Sequence, residues 1–108
     1  MSQTVYCIAS FEAKEGKEKE VLEVLQALEP KTLREDGCIQ YIVTKQFSHA
    51  NACGKSFPIV FNEIWESKEA FEFHCNKSYI TNFFQKHCVD KDGLVKNFNV
   101  CVYTDEIN

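Results

Sequence analysis

The sequence has no apolar run long enough to span a bilayer, and Met1-Ser2-Gln3-Thr4 shows neither the basic flank nor the apolar stretch of a secretory signal. No membrane partner is expected, and the cytoplasm is the expected location. Basic residues gather on no one face, and 12 of them stand against 16 acidic ones, so the electrostatic footprint of a nucleic-acid partner is missing as well. None of the six cysteines, Cys7, Cys38, Cys53, Cys75, Cys88 and Cys101, forms a CxxC pair. His49 and Cys53 share a loop without further ligands, so no metal site is expected. Cys7, Cys38, Cys75 and Cys101 fall inside expected elements and read as reduced, small buried hydrophobes. A chain of 108 residues leaves no room for a second domain, and 1–108 reads as one.

What is present is an orderly change of period. Thr4 to Phe11 alternates as a first strand, with Val5, Cys7, Ala9 and Phe11 on one face and Tyr6 and Ile8 on the other. From Gly16 onward, Val21, Val24, Leu25 and Leu28 form a helical stripe opposite Lys17, Glu18, Lys19, Glu20 and Glu23. Pro30 predicts a kink or restart, and Asp36-Gly37 the helix end. Cys38 to Phe47 gives a second strand, with Ile39, Tyr41, Val43 and Phe47 on one side and Cys38, Gln40, Ile42 and Thr44 on the other. Ser48 to Ser56 has neither period and reads as a mobile loop, either a cover for a binding site or a solvated connection. A third strand is expected from Ile59 to Trp65, then a helix capped by Ser67. It breaks near Asn76-Lys77, restarts on a Ser78 cap and terminates at Asp92-Gly93 before a fourth strand, Asn97 to Thr104.

This order, βαββαβ, predicts an α+β, ferredoxin-like antiparallel sheet with its helices on one face. The first three strands are apolar on both faces, and a bare apolar face is expected to be covered by a second copy of the chain, giving a homodimer packed sheet to sheet.

The stretch from Phe61 to His74 holds the candidate chemistry. Glu63 and Trp65 share the strand face of Ile59 and Phe61, and Ala70, Phe71 and His74 share one face of the following helix. A carboxylate in an apolar stripe must be paired, protonated or hydrogen-bonded. His74 is either a proton acceptor oriented by Glu63 or a helix histidine bonded to Glu63 or a carbonyl for structure alone. Trp65, Phe61, Phe71, Phe83 and Phe84 either wall a flat aromatic substrate or are core. Asn62 points to the opposite face from Glu63, as a polar site residue or as a bond across a dimer. Tyr79 either donates to a substrate oxygen or closes the helix break.

Glu63, Trp65, Ser67, Ala70 and His74 resemble the antibiotic biosynthesis monooxygenase family, in which a Glu-x-Trp strand end precedes a helix carrying His nine residues after the Trp. Leu33-Arg34-Glu35-Asp36-Gly37-Cys38 with Tyr41 is similar to that family's acidic-Gly-Cys turn and following Tyr, and the long segment between strands two and three resembles the bacterial quinol monooxygenases. The resemblance runs from Val5 to Tyr103. It implies a dimeric α+β barrel and oxygenation of a small quinol or polyphenol by molecular oxygen, without metal, haem or flavin cofactor. Taken with the residue readings above, the candidate catalytic residues are His74, Glu63 and Trp65 and the candidate substrate-binding ones Asn62, Tyr79, Phe71 and Phe83. Where quinol monooxygenases carry a second His after a Ser/Thr-Pro step, this chain has Ser78-Tyr79. The positions matching the Trp and His of haem-degrading relatives are His74 and Phe84, which speaks against haem cleavage. The alternative is an isomerase or a non-catalytic small-molecule binder on the same fold. A phosphorylated substrate would need cations, and only Lys68, Lys77 and Lys86 lie near the motif.

Overall fold

Residues 3–108 are described by a computed structural model; the first two residues of the N-terminal signal reading lie outside them. Period-two alternation becomes four strands, β1 Val5–Ala13, β2 Cys38–Lys45, β3 Ile59–Trp65 and β4 Val95–Thr104. Period-3.6 stripes become α1 Glu18–Leu33, α2 Lys68–Cys75 and α3 Ser78–Phe84, the last running into a single π turn, Gln85–Val89. The sheet is antiparallel in the order β2-β3-β1-β4, the expected ferredoxin-like arrangement.

Register decides which residues meet. Val5, Cys7, Ala9 and Phe11 pair with Trp65, Glu63, Phe61 and Ile59, so all eight share the helix-facing side. Tyr41 joins them through its pairing with Glu63 and stacks on Phe61 at a centroid distance of 4.3 Å. Val21, Leu25 and Leu28 of α1 and Ile80 and Phe83 of α3 close this layer from above. Each such fully buried side chain contributes about 1.5–3 kcal/mol relative to exposure, which outweighs the weak propensities of the short helices. Tyr6, Ile8, Val60, Ile64 and Ile42 lie on the other sheet face, half-buried or exposed.

Four local expectations are corrected. Helix α1 continues through Pro30 to Leu33 without a restart. The lost amide bond would have reached Gln26, and both residues are exposed, where an orphan carbonyl is least costly. Strand β2 does not keep simple alternation: Cys38 pairs with Trp65 and Gln40 with Ile64, leaving Ile39 in a bulge. Cys38 therefore joins the face of Tyr41, and Ile39 stands 59% exposed. Ser78 is the first residue of α3 and makes no side-chain cap, the N-cap being Lys77. Cys75, expected to be buried, is exposed at the end of α2, whereas Cys7 is buried and Cys38 and Cys101 are half-buried. All six cysteines are unpaired. No helix among the described residues is long and apolar enough to cross a membrane.

Candidate functional site

The site begins with the cap at the end of β3. Ser67 is extended, at φ −156° and ψ 163°, and its hydroxyl accepts from the Ala70 amide at 3.0 Å, as expected of an N-cap. That fixes the start of α2 and, two turns on, the position of His74. The imidazole is buried, tilted against Trp65 at 4.6 Å and edge-on to Tyr41 at 5.3 Å between ring centroids.

A second segment, remote in sequence, meets α2 from the other side. After α1 the chain turns through Glu35-Asp36-Gly37, where Gly37 has φ +84°, a left-handed conformation that side chains other than glycine's rarely adopt. A Cβ at Gly37 would lie 2.6 Å from the Ala70 Cβ, so the turn sits directly against the first turn of α2. This approach brings Glu35 to His74: Oε2 of the carboxylate lies 3.0 Å from Nδ1. The Tyr79 hydroxyl donates to the same oxygen, and Thr32 Oγ1 is 2.9 Å from that hydroxyl.

Glu63 does not hold His74, contrary to the sequence reading. Its Oε1 accepts from the Trp65 indole N–H at 3.0 Å, an i to i+2 contact along one strand face. Burial pushes the Glu63 carboxyl up to about 7, against the opposing pull of hydrogen bonds from Trp65 and Cys7. Burial also holds His74 below its ordinary value, with Glu35 pulling the other way. At neutral pH the site therefore presents a neutral imidazole and a carboxyl near its midpoint.

These groups border a cavity of about 270 Å³ between α2, α3 and the sheet, lined by Glu63, His74, Cys7, Cys75, Thr81 and Gln85 with an apolar remainder that includes Phe71, Ile80, Phe84 and Val100. The two thiols stay protonated: burial, with Glu63 next, raises Cys7, and the same causes push Cys75 up to about 11. Neither is set up as a thiolate nucleophile. A larger hollow, about 480 Å³, lies on the opposite sheet face under the loop before β3, lined by Ser10, Glu12, Lys55, Ser56, Phe57 and Asn99. It contains no imidazole and no buried carboxyl, so the smaller cavity, which holds both His74 and Glu63, is the better site.

Of the residues expected at the site, His74, Glu63 and Phe71 line this cavity, and Trp65 lies fully buried behind it. Phe83 does not line it; it is buried edge-on to Phe11 at 6.0 Å, and its neighbour Phe84 lines the cavity instead. Asn62 is on the other sheet face, donating to Thr44 Oγ1 at 3.0 Å. Tyr79 spends its hydroxyl on Glu35 and Thr32 and does not border the cavity. Glu35 and Thr32 were missed. Glu35 stood in the acidic-Gly-Cys turn, but nothing in its spacing announces a contact with a residue 39 positions away.

The model of the antibiotic biosynthesis monooxygenases matches residues 4–86, from the start of β1 to the π turn. The chain belongs to this family. Protein SO0527 from Shewanella oneidensis is 34% identical to this antibiotic biosynthesis monooxygenase family member, with a TM-score of 0.76 over 96% of this chain and 92% of that one. PA3566 from Pseudomonas aeruginosa, at 23% identity, has a TM-score of 0.74 over 96% and 95% of the two chains. Rv0793 from Mycobacterium tuberculosis, at 22%, gives 0.72 over 93% and 92%. No curated protein matches the sequence. The family match covers β1, β3, α2, α3 and the turn that carries Glu35, and leaves outside it the cavity residues Val89 and Val100.

Proposed function

We propose that this family member is a monooxygenase of a small quinol or polyphenol, working as a homodimer in the cytoplasm without a metal, haem or flavin cofactor. The observation that carries the reading is a neutral, buried His74 opening onto a small, largely apolar cavity beside a carboxyl that titrates near neutrality. A cavity of about 270 Å³ lies just below the usual range of ligand clefts, which begins at roughly 300 Å³, and suits one or two aromatic rings. No lysine or arginine lines it among the described residues, which argues against a phosphorylated substrate of an isomerase.

His74 accepts a phenolic proton at Nε2, its Nδ1 being engaged by Glu35. The resulting electron-rich phenolate reduces molecular oxygen. In the overall reaction a quinol and O₂ give a hydroxyquinone and water: one oxygen atom enters the ring, the other leaves as water, and the quinol supplies all four electrons. Protonated Glu63 supplies a proton to the departing oxygen, and Trp65, donating to that carboxyl, holds it in place. The apolar walls keep bulk water from the reduced oxygen species. Pairing two copies through the face carrying Ile8, Ile42, Val60 and Ile64 would remove these side chains from water.

The test is oxygen uptake by purified, metal-free protein with naphthoquinols, with autoxidation in buffer subtracted. Wild type should consume oxygen and yield a product heavier by one oxygen atom than the quinone, and His74→Ala should lose roughly a hundredfold in rate. Rates equal to buffer for wild type across a quinol panel overturn the proposal. Ligand retention by His74→Ala without turnover in wild type would then identify a binder, and conversion without oxygen uptake an isomerase.

A further inference from the structure

Glu35 is a buried carboxylate held by side chains from two helices, His74 of α2 and Tyr79 of α3, with Thr32 of α1 backing the tyrosine hydroxyl. The carboxylate and the His74 side chain are 7% and 5% exposed, Tyr79 comes from α3, and Thr32 from the last turn of α1. Burial of an acid is tolerated only where donors replace water, and here two donors converge on one oxygen, Oε2. A neutral imidazole with Nδ1 3.0 Å from a carboxylate oxygen must carry its proton on that nitrogen, because a lone pair facing the carboxylate would be repelled. Nε2 is then left with its lone pair for the cavity that His74 lines.

We infer that Glu35, held by the Tyr79 hydroxyl that Thr32 in turn meets, is the positioning residue of the site: it fixes His74 as the Nδ1–H tautomer and stabilises the imidazolium formed when Nε2 takes a proton. The catalytic part of this inference rests on the proposed role of His74 as base; the tautomer does not. In the step itself the substrate O–H bond breaks and the Nε2–H bond forms. The Nδ1 proton stays on nitrogen, and its hydrogen bond to Glu35 becomes charge-assisted. Tyr79, pushed up to about 12 chiefly by burial and by its bond to Glu35, keeps its proton and donates throughout. Gly37 belongs to the same device, since any larger residue would push the turn and Glu35 away from α2.

A carboxylate that only stapled the helices together would leave the tautomer of His74 indifferent to its replacement by an amide, and the experiment uses that difference. Nitrogen-15 NMR of wild type, Glu35→Gln and Tyr79→Phe reads which ring nitrogen of His74 is protonated, and oxygen uptake gives kcat and KM for the same proteins. Wild type should show Nδ1–H. Glu35→Gln should show the other tautomer or a mixture, and kcat should fall about ten- to a hundredfold with KM little changed. Tyr79→Phe should shift the His74 signals less and in the same direction, which keeps the test open if Glu35→Gln does not fold. Nε2–H in wild type overturns the inference whatever the protein's activity. So does an unchanged tautomer and kcat in Glu35→Gln, even if its thermal stability falls. If wild type shows Nδ1–H and Glu35→Gln loses it while no quinol is turned over, Glu35 is still the positioning residue and it is the monooxygenase reading that fails.

Discussion

Replacing Glu63 by Gln should make the protein more stable in alkaline solution while leaving it unchanged in acid. The carboxyl is buried and its pKa rises from 4.5 to about 7. That gap is worth roughly 3 kcal/mol at about 1.4 kcal/mol for each tenfold change in proton affinity. Because the folded-state pKa is the higher one, the folded protein holds the proton more tightly than the unfolded chain. The stabilisation is complete below pH 4.5, is lost as pH rises through about 7, and stays lost above it. The amide of the Glu63→Gln variant cannot ionise, yet its oxygen can still accept from the Trp65 indole. The stability of Glu63→Gln relative to wild type should therefore climb by roughly 3 kcal/mol between pH 4.5 and 8. His74, lowered by burial, weakens both proteins on the acid side and largely cancels in the comparison. Urea unfolding followed by circular dichroism, at one protein concentration and at pH 4.5, 6 and 8, measures the difference directly. A difference that does not change with pH would mean that Glu63 ionises as an ordinary carboxylate, and its assignment as a proton donor near neutrality would fall with it.

Gly37→Ala should cost about 1–2 kcal/mol for the left-handed backbone alone, and more for the Cβ that would meet Ala70; a thermal melt should show a fall of several degrees or more. Ser67→Ala removes the cap of α2 and should cost about 1 kcal/mol in chemical denaturation, with no change in fold. Trp65→Phe removes a donor that lowers the Glu63 pKa, so carbon-13 NMR of the carboxyl should titrate at higher pH than in wild type. Ile8→Glu, on the face away from the helices, should convert a sheet-to-sheet dimer into a monomer in sedimentation. Val102→Lys, which pairs with Cys7 on the helix side, should leave the dimer intact, and the reverse pattern would move the interface.

Short-range physics was legible in the sequence and long-range contact was not. The bounds of β3, Ile59 and Trp65, follow from alternation, and the Ser67 cap from local hydrogen-bonding chemistry; the break at Asn76-Lys77 falls where expected, though without the Ser78 cap expected to make it. The bulge at Ile39 left no mark, because one extra apolar residue in an apolar strand looks like alternation that has slipped. Of the kink or restart expected at Pro30, the restart fails because proline is costly in a helix interior but cheap on an exposed last turn. The pairing of His74 was the largest miss. Glu63 stood nearby in sequence and on the correct strand face, but alternation cannot tell that its carboxyl would be taken by Trp65, two residues along the same face. Glu35 reaches His74 only because Gly37 lets one turn dock on another.

The cavity exists because the helices cover the sheet unevenly. Helix α1 lies mainly over β2, while β4 is approached by the π turn, and Phe98, Val100 and Val102, all facing the helix side by register, remain 42%, 43% and 52% exposed. A single unbroken helix after β3 would run on in the direction of α2. Instead the chain breaks at Asn76, whose side chain caps Glu72 O at 2.9 Å, and restarts as α3. The π turn widens the last coil, and the chain can fold back after it only because Gly93 has no Cβ, which would lie 2.4 Å from the His87 carbonyl oxygen. π turns of this kind recur at functional sites, where an inserted residue redirects side chains without ending the helix. Here Gln85 and Val89, the first and last residues of the turn, both line the cavity, opposite Glu63 and His74. Two local departures from helical geometry thus hold open, above the buried carboxyl of Glu63, a space that regular packing would have filled.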